Sequence, residues 1–204
     1  TGPENPRHEA RLLVGYGLGI PVEQILYDQS HQLSEAECAN VAALIGRRKD
    51  HEPFAYITGT KEFWSLEFGI GEESLIPRPA SECIVESALG ILRDTKNEAP
   101  ILDLGTGSGC LLLSVMHERS DLNGVGIDCS YETIRRATDN SHRLNMKERA
   151  KFVVGNWGAA LECRFDLILC NPPYVRSSEI GGLMRDVSYY EPRLAPVSYT
   201  HLRA

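Results

Sequence analysis

The spacing of apolar positions changes along the chain. From about residue 6 to residue 50 they recur at helical intervals. Leu12, Leu13 and Tyr16 share one face, Val22, Ile25 and Leu26 form a short second stripe, and Cys38, Val41, Ala42 and Ile45 repeat at i, i+3, i+4 and i+7. The last of these helices has a readable start. Ser34 followed three residues later by Glu37 is a capping box, in which each side chain satisfies a backbone N–H that the first turn leaves without a partner. The stretch YITGTKEFWSLEFGI, residues 56–70, is rich in β-type residues and broken at Gly59 and Ser65, which predicts a short hairpin. Pro77 and Pro79 stiffen the approach to a helix near Glu82 to Arg93.

Beyond Pro100 short β-rich runs alternate with helical stretches. ILDLG (101–105), GVGID (124–128), KFVVG (151–155) and FDLILC (165–170) read as strands, and residues 110–119 and 131–144 as helices between them. Such alternation specifies an α/β fold with a parallel sheet and helices on both faces. The predicted organisation is a helical domain over 1–52, a hairpin linker over 53–76 and a sheet domain over 77–195, with 196–204 as a tail. There is no internal repeat and no low-complexity segment.

Composition narrows the class. The 204 residues, 42% of them apolar, suffice for a real core. A formal net charge of -7 offers no long-range attraction to a polyphosphate, and apart from Arg47-Arg48-Lys49 the basic residues are scattered, so nucleic acid is a disfavoured partner. The six cysteines make no C-x-x-C pair and no metal-type spacing with the six histidines; they are expected to be small buried hydrophobes in a reducing compartment. No apolar run approaches the roughly 18 residues a spanning helix needs, and no signal peptide opens the chain, so a soluble protein is expected. The first residue is Thr1 rather than Met.

Ligands of open parallel sheets bind at the carboxyl ends of the strands. DLGTGSG, Asp103 to Gly109, falls at that edge, and Gly105, Gly107 and Gly109 let the backbone turn sharply and approach a ligand closely. The G-x-G-x-G spacing differs from the G-x-G-x-x-G of dinucleotide binders, which disfavours a nicotinamide-dependent dehydrogenase. Asp128 ends the second strand, where a carboxylate can accept both hydroxyls of a ribose; the plain alternative is that it caps the helix starting near Ser130. Trp157 follows the third strand, as an aromatic shelf for adenine or as ordinary core. Together they describe an adenosine-containing ligand without a pyrophosphate clamp.

The fourth strand empties into Asn171-Pro172-Pro173-Tyr174. Pro172 forces Asn171 into an extended backbone, and neither proline has an N–H, so the turn is stiff and its carbonyls and the Asn171 side-chain oxygen are free acceptors. Two acceptors can grip both hydrogens of a planar NH2 group and leave the nitrogen lone pair directed outward, with Tyr174 packed over the plane. This suits attack by a weakly nucleophilic amide or exocyclic amine on an electrophilic carbon.

DLGTGSG, GIDCS and NPPY in this order resemble class I S-adenosylmethionine-dependent methyltransferases that modify amino groups. A helical N-terminal region, EPFAYITGTKEFWSLEF, LIPRPASE, GNW and YYEPRLA extend the resemblance to the HemK family, the glutamine methyltransferases of peptide chain release factors, over nearly the whole chain to about Ala195. The resemblance implies a Rossmann-like class I sheet. It further implies S-adenosylmethionine bound by Asp103, Gly105, Thr106, Gly107, Ser108, Gly109, Asp128, Trp157 and Asn171, no metal, and a glutamine amide held and methylated at Asn171, Pro172, Pro173 and Tyr174. The implied substrate is the Gly-Gly-Gln loop of a release factor, docked with help from the helical domain. A cytoplasmic monomer is expected, an organelle being the alternative if a targeting segment precedes Thr1.

There are departures. The family's P-R-P-E-T-E stands here as Pro77-Arg78-Pro79-Ala80-Ser81-Glu82, one carboxylate fewer, and the acidic residue usual before the aromatic shelf is Asn156. After Ala195 the chain ends PVSYTHLRA, which has no family counterpart and reads as foreign sequence after a truncated sheet, leaving strand 165–170 as an open apolar edge. The rival readings are an amino-methyltransferase acting on adenine or cytosine in nucleic acid, and a non-catalytic binding module of the same fold.

Overall fold

A computed structural model of the chain describes residues 6–27, 32–93, 100–159, 161–172 and 189–191. They fall into two compact units. One is helical and lies within Thr1–Thr58, with Tyr189 and Tyr190; the other lies within Gly59–Leu183, with Glu191, and contains the strands.

The helical unit comprises α1 (Pro6–Leu18), α2 (Val22–Tyr27), α3 (Glu35–Lys49) and α4 (Phe54–Thr58). The capping box at the start of α3 forms as expected: Ser34 Oγ accepts the Glu37 N–H at 3.3 Å, and the Ser34 N–H donates to Glu37 Oε2 at 2.8 Å. Glu35 and Glu37 in its first turn and Arg47, Arg48 and Lys49 in its last complement the helix dipole. The buried positions differ from the expected faces. α3 buries Val41 and Leu44 while Ile45 stays 40% exposed, and no residue of α2 is buried. The cause is Gly17 of α1, where an added Cβ would lie 3.0 Å from both Val41 Cγ2 and Leu44 Cδ1. A glycine at the crossing lets α1 and α3 approach through that line of residues, and Leu13, Leu44 and Ile57 close the core with Phe54 packed against them.

α4 overturns the expected start of the hairpin. Residues 56–58 are helical because the Pro53 carbonyl accepts N–H groups from Tyr56 and Ile57, and because the turn buries Ala55, Tyr56 and Ile57. Burial outweighs the β preference of these side chains. The hairpin itself is β1 (Thr60–Phe63) paired antiparallel with β2 (Leu66–Gly69), turning at Trp64 and Ser65, both at positive φ (53° and 55°).

α5 (Glu82–Leu92) precedes a sheet of β3 (Ile101–Leu104), β4 (Gly124–Asp128), β5 (Ala150–Val154) and β6 (Leu167–Cys170), all parallel in the order β5-β4-β3-β6. The chain steps from β3 to β4 to β5 in one direction and then returns to the other side of β3. This reversal is the switch point at which such sheets bind ligands. The crossover helices α6 (Cys110–Glu118) and α7 (Tyr131–Arg143) pack on one face, as two right-handed crossovers in the same direction require. Glycines in β4 make room on that face: a Cβ at Gly124 would meet Leu112 Cδ1 of α6 at 2.7 Å, and one at Gly126 would meet the ring of Phe152 on the neighbouring strand β5 at 2.6 Å.

The cysteines also depart from expectation. Cys38, Cys83, Cys129 and Cys163 are exposed, Cys110 and Cys170 are intermediate, and all are free thiols. Cys38 lies on the outer side of α3 and Cys83 in the first turn of α5, positions set by helix phase rather than by the apolar character of the neighbouring sequence.

Candidate active site

The carboxyl ends of the four strands bring together most of the residues singled out in the sequence. β3 runs directly into the glycine loop. Gly105, Gly107 and Gly109 all take left-handed backbone conformations (φ 71°, 56° and 82°), which side chains with a Cβ rarely adopt. The Gly105 and Thr106 N–H groups both donate to the Ile127 carbonyl at 2.9 Å, which fixes the loop over the end of β4. Among the described residues nothing lies within 4 Å of where a Cβ would stand at Gly105 and Gly107, whereas Gly109 is packed against Leu113, Phe152 and Ala137.

Asp103 lies beneath the loop, fully buried. Thr106 Oγ1 donates to its Oδ2 at 2.6 Å, and Oδ1 is enclosed without a hydrogen bond of ordinary geometry. Burial pushes the carboxyl up to about 6, the negative charge of Asp128 adding to the rise while the Thr106 hydroxyl and the Leu112 N–H pull the other way. Asp103 is therefore a tether for the loop, holding Thr106 from below. Ser108 is also buried.

Asp128 links the glycine loop to the segment that follows β4. One oxygen accepts the Gly107 N–H at 3.2 Å and the other the Ser130 N–H at 3.1 Å, so it ties the loop to the start of α7 while remaining partly exposed. The helix cap itself is Ser130, whose Oγ accepts the Thr133 N–H at 3.3 Å. Trp157, two residues beyond Gly155, stands at φ 54° and is 38% exposed, so its indole is not part of the core. The Gly155 N–H donates to the Asp128 carbonyl at 2.9 Å, which joins this corner to the end of β4.

Asn171 and Pro172 follow β6 at the same edge, beside β3. Asn171 Nδ2 donates to Ser81 Oγ at 3.2 Å. Pro173 and Tyr174 lie outside the described residues. Ser81 belongs to the turn Pro79–Ser81 before α5, so the LIPRPASE segment reaches the NPPY turn across ninety residues of chain. The same segment contributes Arg78, which pairs with the buried Glu191 of YYEPRLA. The contacts of Ser81, Arg78 and Glu191 were not legible in the sequence; their motifs were visible, but nothing local says which motif meets which.

A left-handed glycine loop with no described side chain packed against Gly105 or Gly107, flanked by a partly exposed carboxylate, suits an adenosine-containing group bearing a carboxylate and a ribose. Comparison with known proteins agrees with that geometry. The family profile described as the PrmC N-terminal domain matches residues 1–59, and one described as a methyltransferase domain matches residues 95–191. A release factor glutamine methyltransferase from Buchnera aphidicola is 40% identical over 195 residues, covering 96% of this chain and 70% of that protein. The chain belongs to the release factor glutamine methyltransferase family.

The family member from Rhodospirillum rubrum is 39% identical over 195 residues, and there the chain spans 59% of its relative's length; it spans 65% of the Bradyrhizobium diazoefficiens protein, also 39% identical. Among solved structures, the hMettl16 catalytic domain in complex with the MAT2A 3'UTR hairpin 6 aligns over 83% of this chain and 59% of its own, with a TM-score of 0.51 at 18% identity, a likeness of fold. Within the release factor glutamine methyltransferase pattern, the departure at Ala80-Ser81 keeps a hydroxyl where the structure uses one, since Ser81 Oγ is the acceptor for Asn171. No helix among the described residues is long and apolar enough to cross a membrane.

Proposed function

We propose that this chain transfers a methyl group from S-adenosylmethionine to the side-chain amide nitrogen of a protein glutamine, with the Gly-Gly-Gln loop of a peptide chain release factor as substrate, acting as a monomer in the cytoplasm. The observation that carries the reading is the position of Asn171. It leaves β6 beside the glycine loop of β3 with its Nδ2 committed to Ser81 Oγ, so that Oδ1 is left to accept from a substrate NH2.

When bound, the cofactor supplies an electrophilic methyl on a sulfonium. The chain supplies orientation. The glycine loop, with Asp103 and Thr106 beneath it, bounds one side of the site; Asp128 offers a carboxylate to hydroxyls and Trp157 an exposed indole to a flat base. Asn171 Oδ1 and the Pro172 carbonyl would accept the two hydrogens of the glutamine amide, leaving the nitrogen lone pair to face the methyl group; as the N–C bond forms the S–C bond breaks to leave a thioether, and one amide proton is released to solvent. Holding a neutral amide this way requires no charged base, and an asparagine avoids the desolvation cost of a carboxylate. The residues matched to the family pattern, Asp103 to Gly109, Asp128, Trp157 and Asn171 to Tyr174, support this assignment.

Tritiated methyl transfer to a bacterial release factor, with the product peptide mapped by mass spectrometry, tests the reading. Asn171→Ala is expected to lower turnover by roughly 10²–10³-fold, the usual cost of removing one preorganised hydrogen-bonding group from a reacting centre. Turnover unchanged in Asn171→Ala, or methyl transfer to RNA or DNA in place of the release factor, overturns it.

A further inference from the structure

Asn140 of α7 belongs to none of the motifs above, yet it is 1% exposed and its carboxamide joins separate parts of the fold. Oδ1 accepts the Gly69 N–H at 2.7 Å; Nδ2 donates to the Gly69 carbonyl at 3.1 Å and to the Ser108 carbonyl at 2.9 Å. The partners fix the orientation of the amide, because an N–H needs an acceptor and the two carbonyls need a donor. Gly69 is the last residue of β2 and Ser108 sits in the glycine loop. To the hairpin the amide acts as one more peptide group on its strand; to the loop it acts as a clamp on a carbonyl just before α6.

The neighbouring contacts keep the hairpin side of this link rigid. Arg143 reaches Glu67 at 2.7 Å, Arg136 reaches Glu73 at 2.6 Å, and Thr133 Oγ1 donates to the Glu73 carbonyl at 2.7 Å, so one face of α7 holds the hairpin and the segment after it. Gly69 is also the residue that admits the amide, since a Cβ there would stand 3.1 Å from Asn140 Oδ1 and 2.9 Å from Arg143 Nη1. A buried amide whose hydrogen-bonding groups are in use holds its partners in one geometry, because releasing any of them leaves a desolvated polar group.

We propose that Asn140 is a positioning residue for the glycine loop: its carboxamide relays the position of the hairpin, at Gly69, to the Ser108 carbonyl, and thereby sets the affinity for the adenosine-containing cofactor without contacting it. This rests on the reading of Gly105 to Gly109 as the cofactor loop. It makes the FWSLEFG hairpin part of the cofactor site's support and not only a connection between domains.

The test is calorimetric titration of S-adenosylhomocysteine into the parent chain, Asn140→Ala, Gly69→Ala and Thr138→Ala, at a temperature where circular dichroism shows each fully folded. Thr138 lies on the same helix and its hydroxyl donates within it to the Ile134 carbonyl at 2.8 Å, so its loss perturbs α7 without touching loop or hairpin. Asn140→Ala and Gly69→Ala are each expected to raise the Kd roughly tenfold, the equivalent of one good hydrogen bond lost from the loop's support, with Thr138→Ala at the parent value. Hydrogen exchange in the peptide spanning residues 104–110 is expected to speed up in Asn140→Ala, and in turnover assays the change is expected in the KM for S-adenosylmethionine more than in kcat. Parent-like Kd and exchange in Asn140→Ala overturn the proposal. If Asn140→Ala does not fold, a parent-like Kd in Gly69→Ala does so instead. A parent chain that binds no S-adenosylhomocysteine removes the cofactor reading itself and this proposal with it, an outcome distinct from variants that bind as well as a binding parent.

Discussion

The helices α3 and α6, one from each unit, hold their shape for opposite reasons. α3 carries local signals at both ends, a complete capping box and charges that match the helix dipole, yet it buries only Val41 and Leu44. α6 starts from Gly109 at φ 82° with no side-chain cap, yet it buries every residue from Leu111 to Met116. In the helical unit, order is written largely in neighbouring residues, and the core is a small cluster around Leu13, Leu44 and Ile57. In the sheet unit the helix is held by the burial of its side chains and not by a cap. A glycine that would be a poor start for a free-standing helix is the residue the left-handed turn between β3 and α6 needs.

Substitution at matched positions gives the largest test of that contrast. Leu112→Ala, at a residue with no exposed surface, is expected to cost about 3–5 kcal/mol, against about 2 kcal/mol for Leu44→Ala at 8% exposure. Both tryptophans, Trp64 and Trp157, lie in the sheet unit, so urea unfolding followed by fluorescence reports on it, while far-ultraviolet circular dichroism also covers the helical unit. Equal costs would break the comparison.

A smaller effect should come from Asp103. Its folded carboxyl is raised to about 6 from the usual 3.8, so the folded state holds the proton more tightly than the unfolded chain. Stability is then greatest at low pH with respect to this group, falls as pH rises from about 4 through 6, and levels off above; the loss is on the order of 3 kcal/mol. Melting temperatures of the parent and Asp103→Asn between pH 4.5 and 7.5 check this. The parent is expected to lose stability across that window relative to the variant, and parallel curves would show that burial of this carboxylate is not what strains the sheet unit.

The smallest effect, about 1 kcal/mol, is expected for Ser34→Ala, which removes the cap of α3. It should lower the circular dichroism melt of the helical unit and leave the tryptophan signal unchanged. A shift in the fluorescence transition instead would show that the local signals of α3 matter beyond their own unit.

The alternation after residue 100 and the glycines at the end of β3 were legible because they are local: strand period, turn chemistry and the order of motifs along the chain are properties of adjacent residues. The same holds for the capping box. The helical faces were legible only in part, because Gly17 decides which side of α3 meets α1, and periodicity alone does not locate a crossing point. Residues 56–58 looked like strand and became helix because Pro53 and the burial of Tyr56 and Ile57 outweighed their intrinsic preference.

By itself, then, the sequence determined the kind of elements, the switch point in the sheet and the presence of an asparagine turn beside a glycine loop. Only the tertiary structure decided how these are held. Asn171 finds Ser81 ninety residues away, Glu191 finds Arg78 across 113, and Asn140 reaches Gly69 across 71 and Ser108 across 32. Each of these links pairs polar groups that are neighbours only after folding, and no spacing along the chain distinguishes such a partner from any other asparagine, serine or glycine. They follow from the requirement that buried donors and acceptors be satisfied by whatever the fold brings within reach.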